Sequence, residues 1–190
     1  MDIVSKTEKQ KMHPHKFTLW VAIGSLIMMF AGLTSAFIVK SNQDKWIPVA
    51  LPMIFWISTG MILLSSLTMQ LSLRSFKDRE MSKYRFLIGV TVVLGAAFII
   101  CQWLGFQQLW EQKVTFKGSG GGQFLYVIFG LHALHVVGGL IVLLIMFIKG
   151  FLGKTKNYSS VPVEVAATYW HFVDALWIYL LVFFLVLGKN

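Results

Sequence analysis

Charged residues are scarce in this chain. Only 13% of its 190 residues are Asp, Glu, Lys or Arg, whereas 56% are hydrophobic, and the mean hydropathy is +0.70. Soluble domains carry about 25% charged residues, so this composition excludes a soluble domain. A single cysteine, Cys101, excludes an internal disulfide, and its place within an apolar run is typical of an inert packing residue.

Motifs for binding nucleotides or nucleic acids are also missing. The glycine-rich stretch Gly118–Gly122 lacks the following lysine that a phosphate-binding loop requires. The net charge of +9 does not indicate nucleic-acid binding, because the basic residues lie next to the ends of apolar runs and form no stripe along one face. Membrane topology accounts for these charges.

Five continuously apolar runs are each long enough to cross a bilayer as a helix, since a hydrocarbon core of about 30 Å requires about 20 residues. They cover residues 18–39, 47–73, 86–110, 123–148 and 165–187. Transmembrane β-strands would alternate polar and apolar residues, which these runs do not. The sequence therefore predicts an all-α membrane protein, a bundle of five transmembrane helices.

The distribution of basic residues predicts the orientation of the bundle. Twelve lysines and arginines flank one side, namely Lys6, Lys9, Lys11, Lys16, Arg74, Lys77, Arg79, Lys83, Arg85, Lys149, Lys154 and Lys156, and five flank the other. By the positive-inside rule the amino terminus is cytoplasmic and the carboxyl terminus periplasmic. We expect residues 1–17 to form a basic cytoplasmic tail and residues 18–190 a five-helix transmembrane domain.

Two histidines on the fourth predicted helix lie near one face, because His132 and His135 are three residues apart. As metal ligands they would need His171, Glu164 or Asp174 from the last helix. As haem ligands they would need His171, the remaining histidine within the predicted spans. The alternative is structural, with both imidazoles hydrogen-bonded to neighbouring helices.

The last predicted helix contains His171 and Asp174 within a membrane-length apolar segment, and Glu164 lies at its start. Ionisable groups at bilayer depth are costly unless they face protein or water, so they mark functional candidates. These three could serve a proton relay, or His171 and Asp174 could form a buried hydrogen-bonded pair. No predicted helix carries the several acidic residues and histidines that usually line a proton channel.

Two motifs resemble subunit III of the haem-copper respiratory oxidases, the cytochrome c oxidase subunit III family. Residues 130–136, G-L-H-A-L-H-V, are similar to the family's G-F-H-G-L-H-V, and residues 164–177, E-V-A-A-T-Y-W-H-F-V-D-A-L-W, match its final helix almost residue for residue. The likeness covers nearly the whole chain after the amino tail, in the family's short five-helix form. It implies structural and polar roles for His132, His135, Glu164, Tyr169, Trp170, His171, Asp174 and Trp177.

The resemblance implies a subunit with no catalytic residue, cofactor site or metal site of its own. It would pack against the catalytic subunit I, which holds haems and copper, and against subunit II, in a complex of the bacterial inner membrane that reduces oxygen to water and pumps protons. This chain would stabilise the catalytic subunit, support proton uptake and bind phospholipid. Leu26 stands where the family usually has an intramembrane glutamate, and Gly105-Phe106 replace a Glu-Tyr pair, so roles of those acids do not transfer.

Several alternatives stay open at this point. Five-helix forms serve oxidases that use cytochrome c and oxidases that use quinol, and a supercomplex with a quinol-oxidising partner is compatible with the apolar outer faces. A haem-binding electron carrier using His132, His135 and His171 is one alternative function. The related accessory subunit of a nitric oxide reductase is another, and a proton-conducting or transport protein is a third.

Overall fold

A computed structural model of the chain describes residues 14–41, 53–111, 120–152 and 159–187. These residues form five helices: α1 (Pro14–Ser41), α2 (Ile54–Lys77), α3 (Met81–Glu111), α4 (Gly120–Leu152) and α5 (Val161–Leu187). Each helix is long and apolar enough to cross a membrane. The predicted all-α, five-helix architecture is therefore confirmed for the described part of the chain.

The helices extend past most ends of the apolar runs from which they were predicted. The region between Arg74 and Arg85, for instance, is largely helical, because α2 continues to Lys77 and α3 begins at Met81. Arg79 lies in the short turn between them and has a φ of 63°. The backbone amide of the preceding residue, Asp78, donates to the carbonyl of Arg74. Apolar residues mark the bilayer core, whereas helices also run into the polar interface. Residues 1–13 of the predicted tail and residues 47–52 lie outside the described residues.

Consecutive helices run in opposite directions. The ring of Phe76 at the end of α2 packs edge-on against Tyr84 at the start of α3, with centroids 4.9 Å apart. At the other end of α3, Phe106 stacks on Tyr126 of α4 with centroids 5.7 Å apart. These contacts between the end of one helix and the start of the next fix an up-and-down bundle.

Helix α5 is the central element of the bundle. Half of its most apolar 18-residue stretch is buried, compared with 22% to 28% for the other four helices. It packs against α1, α2 and α4, while α1 and α2 make no backbone contact with each other in the described residues. The motif residues of the last helix therefore lie where the bundle can enclose them.

Candidate functional site

Trp170 of α5 joins three other helices to its own. The residue is 1% exposed, and its indole Nε1 donates to Ser65 Oγ of α2 across 3.1 Å. Its ring fills space left by two glycines: a Cβ added at Gly95 of α3 would lie 3.0 Å from the ring, and one added at Gly139 of α4 would lie 3.1 Å from it. Small residues let helices approach closely in membranes, and here they make room for a tryptophan.

His171, the next residue, bonds to α2 at two points. Its Nε2 lies 3.1 Å from Gln70 Oε1, and its Nδ1 lies 2.6 Å from Ser66 Oγ. Since a carbonyl oxygen only accepts, Nε2–H donates to Gln70, and Nδ1 of a neutral imidazole accepts from the Ser66 hydroxyl. Both nitrogens of this half-buried ring are thus used in holding α5 to α2.

Asp174 does not pair with His171, although the two are one helical turn apart. The residue is 3% exposed, and neither carboxyl oxygen has a hydrogen-bond partner among the described residues. The Ser66 hydroxyl lies within reach of this carboxyl, but a hydroxyl has one proton, and Ser66 donates it to His171 Nδ1, 2.6 Å away. A buried polar group without a partner costs free energy, so the fold is not stabilised by this carboxyl.

The two histidines of α4 have different environments. His132 is 1% exposed and stacks on Trp177 with ring centroids 5.4 Å apart, while neither ring nitrogen has a partner within the described chain. His135 Nδ1 donates to the Leu131 carbonyl of its own helix across 2.7 Å. The prediction that both imidazoles hydrogen-bond to neighbouring helices is therefore wrong. Both rings instead lie in T-shaped arrangements with Phe30 of α1, with centroids 6.5 Å and 6.1 Å apart.

Glu164 forms an ion pair with lysines from two other helices. Its Oε2 lies 2.6 Å from Nζ of Lys16 in α1, and its Oε1 lies 3.0 Å from Nζ of Lys77 in α2. The carboxylate is 19% exposed, whereas Lys16 and Lys77 are 42% and 52% exposed, so solvent screens the cluster much as it screens a surface ion pair. This three-residue cluster fastens α1, α2 and α5 together at the end of the bundle that carries most of the basic residues.

The remaining motif residues are also used in packing between helices. Tyr169 Oη donates to the backbone carbonyl of His135 across 3.1 Å, and Trp177 Nε1 donates to Thr59 Oγ1 of α2 across 3.0 Å. Trp177 is 1% exposed and packs edge-on against Phe98 of α3. The two aromatic residues therefore connect α5 to three helices.

These contacts decide which chemistry the site can support. No three His, Cys, Asp or Glu side chains come together as a metal site in the described ranges. His171 has both ring nitrogens in hydrogen bonds, and the space beside His132 is filled by Trp177 and Phe98. A pair of axial haem ligands needs free nitrogens on either side of a macrocycle, and His171, the partner that His132 or His135 would require, offers none in this arrangement. The hydrogen bonds of His171, Trp170 and Trp177 join α5 to α2.

Five residues that contribute to this polar interior were not singled out as candidate site residues. Gln70 and Ser66 bind His171, Ser65 accepts from Trp170, and Gln102 of α3 donates its amide to Ser58 Oγ across 3.1 Å. The hydroxyl-rich side of α2 was the available signal, since polar side chains inside membranes hydrogen-bond between helices. Gln70 is also a polar side chain within the second apolar run, and it lies four residues after Ser66, on the same side of the helix.

The fold and this interior define a multi-pass helical membrane protein whose polar groups mainly join its own helices. The sequence model of the family described as cytochrome c oxidase subunit III matches residues 8–189. The chain is 26% identical to cytochrome c oxidase subunit 3 of Bacillus sp. (strain PS3) over 174 residues, covering 89% of this chain and 84% of that protein. It is 29% identical to cytochrome c oxidase subunit 3 of Alkalihalophilus pseudofirmus over 194 residues, covering 93% and 92%.

This chain belongs to the cytochrome c oxidase subunit III family. The family resemblance predicted from its two motifs is thereby confirmed. Membership implies association with the catalytic subunits of an oxidase.

Proposed function

We propose that this chain is a non-catalytic subunit of a bacterial haem-copper oxidase in the cytoplasmic membrane. In this role it stabilises the catalytic subunit, holds phospholipid and supports proton uptake on the cytoplasmic side. Family membership over residues 8–189 carries the proposal. The use of His171, Trp170 and Trp177 in contacts between helices supports a structural role for the motif.

Affinity purification of the chain in mild detergent tests this function. We expect the oxidase catalytic subunit to co-purify with it and to carry all of the haem absorption. After the subunit is split off, it should be colourless, because both ring nitrogens of His171 are hydrogen-bonded and the His132 ring is packed against Trp177 and Phe98. Haem retained on the isolated chain would contradict the proposal, and so would the absence of any haem-containing partner.

A cavity of about 1220 Å³ supports the phospholipid part of the proposal. It lies between α1, α4, α5 and the region where α2 ends and α3 begins, and it exceeds the about 300–1,000 Å³ of typical small-molecule pockets. Its walls are largely apolar, whereas Arg79, Arg85 and Lys149 lie at the basic end of the bundle. The buried Arg85 Nε has no hydrogen-bond partner among the described residues. An apolar body with basic groups at one end suits acyl chains and an anionic head group.

Two glycines of α4 allow a matched test of this cavity. Gly138 lines it, whereas Gly130 does not, and a Cβ added at either position meets nothing within 4 Å. Gly138→Leu should therefore add apolar bulk at the wall of the cavity and lower the phospholipid retained per purified complex. Gly130→Leu should leave it unchanged. Lipid is counted by mass spectrometry after extraction, and equal retention in both variants would exclude this cavity as the lipid site.

A further inference from the structure

The two halves of α1 are packed differently against the bundle. In the second half, Phe30, Thr34 and Phe37 are 1%, 3% and 1% exposed. Phe37 packs edge-on against Phe184 of α5, with ring centroids 5.0 Å apart. By contrast, none of residues 14–22, which we name the leading segment of α1, is buried. The second half therefore anchors α1 in the bundle, and the leading segment is held loosely.

An ion pair holds the leading segment to α5. Lys16 Nζ lies 2.6 Å from Glu164 Oε2, and α1 makes no backbone contact with α2 in the described residues that would support the segment from the other side. Lys16 is 42% exposed, and solvent weakens ion pairs that are exposed to this extent. The pair is therefore a weak attachment that opens and closes reversibly.

The leading segment also forms one wall of the large cavity. His15, Thr18, Leu19 and Ala22 line the cavity, and their spacing of three and four residues places them on one side of α1. Lys16 does not line it. A movement of the leading segment away from α5 therefore widens the cavity, and the ion pair opposes this movement.

A point at which α1 can bend follows directly after the leading segment. Helices bend at neighbouring glycine and serine residues, and Gly24 and Ser25 form such a pair. A Cβ added at Gly24 meets nothing within 4 Å, so close packing within the described chain does not require glycine there. Ser25 Oγ donates to the Val21 carbonyl across 3.1 Å, a bond that often bends helices.

We propose that the ion pair between Lys16 and Glu164 is a latch on the lipid cavity. While the pair is closed, the leading segment lies against the bundle and the bound phospholipid is retained. When the pair opens, α1 bends at Gly24 and Ser25, the cavity widens, and the phospholipid exchanges with the membrane. The inference rests on the proposed function, because that function supplies the lipid whose exchange is controlled.

The rate of lipid exchange in the purified oxidase complex tests the latch. Lys16→Gln and Lys77→Gln each remove one of the two ion pairs of Glu164, and neither lysine lines the cavity. Only Lys16 belongs to α1. The complex is incubated with deuterated phospholipid, and the bound lipid is followed over time by mass spectrometry. Lys16→Gln should accelerate exchange about two-fold to five-fold, the range for losing one exposed ion pair, and Lys77→Gln should not.

The other outcomes of the exchange experiment also decide the proposal. Equal acceleration in both variants would show that the ion pairs stabilise the bundle as a whole, and the latch would be overturned. An unchanged rate in Lys16→Gln would overturn it as well. Absence of exchangeable phospholipid from the unaltered complex would refute the lipid role itself, and distances within the chain would then decide whether α1 moves.

Pulsed electron paramagnetic resonance measures those distances in the same complex. Spin labels replace Phe17 and Leu152, which are 58% and 76% exposed, in a chain whose single native cysteine is replaced by serine. Lys16→Gln should shift part of this distance distribution to larger values. Labels at Val39 and Val127, towards the other end of the bundle, should show no shift. An unchanged distance between Phe17 and Leu152 would contradict movement of the leading segment.

Two glycines of α1 allow a matched test of the bend. A Cβ added at Gly24 or at Gly32 meets nothing within 4 Å, but Gly32 lies in the anchored half. Alanine stabilises a helix relative to glycine, so Gly24→Ala should slow lipid exchange about two-fold to five-fold. Gly32→Ala should leave the rate unchanged. Equal rates in the two variants would overturn the bend at Gly24 and Ser25.

Discussion

Trp170→Ala should destabilise the subunit by about 3–5 kcal/mol, the range for removing a large aromatic side chain from a packed core. The indole is 1% exposed, fills the gap between Gly95 and Gly139, and donates to Ser65. Lipid tails are as apolar as the core, so the cost comes from lost packing and the unmade hydrogen bond. The measurement is thermal unfolding of the purified subunit in detergent, followed by tryptophan fluorescence.

Trp103→Ala is the matched control for this prediction. Trp103 belongs to α3 and is 67% exposed, so the same substitution there removes little packing. Its midpoint of unfolding should stay close to that of the unaltered subunit. If both variants shifted equally, the change in fluorescence or in detergent binding would be responsible, and Trp170 would not be the centre of the core.

Much of the fold could be predicted because the bilayer sets the length of every helix. Each of the five apolar runs corresponds to one helix, and the predicted bounds were wrong only near the helix ends. At Lys77 and Met81, for example, the helices continue into the polar interface. The orientation of the bundle stays a prediction from the basic residues alone. The central place of α5 was not predictable from hydropathy, since its run resembles the other four.

The contacts of the motif residues were harder to predict from the sequence than their positions. Spacing placed His171 and Asp174 one turn apart on one helix, but the rotation of α5 against α2 decides that His171 meets Ser66 and Gln70. Glu164 likewise forms ion pairs with Lys16 and Lys77, which belong to helices distant in sequence. Such pairings depend on how whole helices pack, which local patterns do not encode.

Asp174→Leu should stabilise the isolated subunit by about 1–3 kcal/mol, because it removes a buried polar group that lacks a partner. Leucine has the same branching and the same number of side-chain heavy atoms, although its methyl groups are larger than the carboxyl oxygens, and the neighbouring Ser66 keeps its bond to His171. The same thermal unfolding in detergent measures the change. Asp174→Asn is the control, since an amide in this position is still unsatisfied and should give little or no gain.

A loss of stability that Asp174→Leu shares with Asp174→Asn would show instead that the carboxyl has a partner within the folded subunit, whereas a loss in Asp174→Leu alone would reflect overpacking by the larger side chain. If Asp174→Leu is more stable than the unaltered subunit, Asp174 does not stabilise the fold of the isolated chain. Its contribution must then arise in the assembled oxidase. Comparing assembly and oxygen reduction of Asp174→Leu with Asp174→Asn would separate the two possibilities: a defect in assembly would place Asp174 in subunit association, and a defect in turnover alone would place it in the working enzyme.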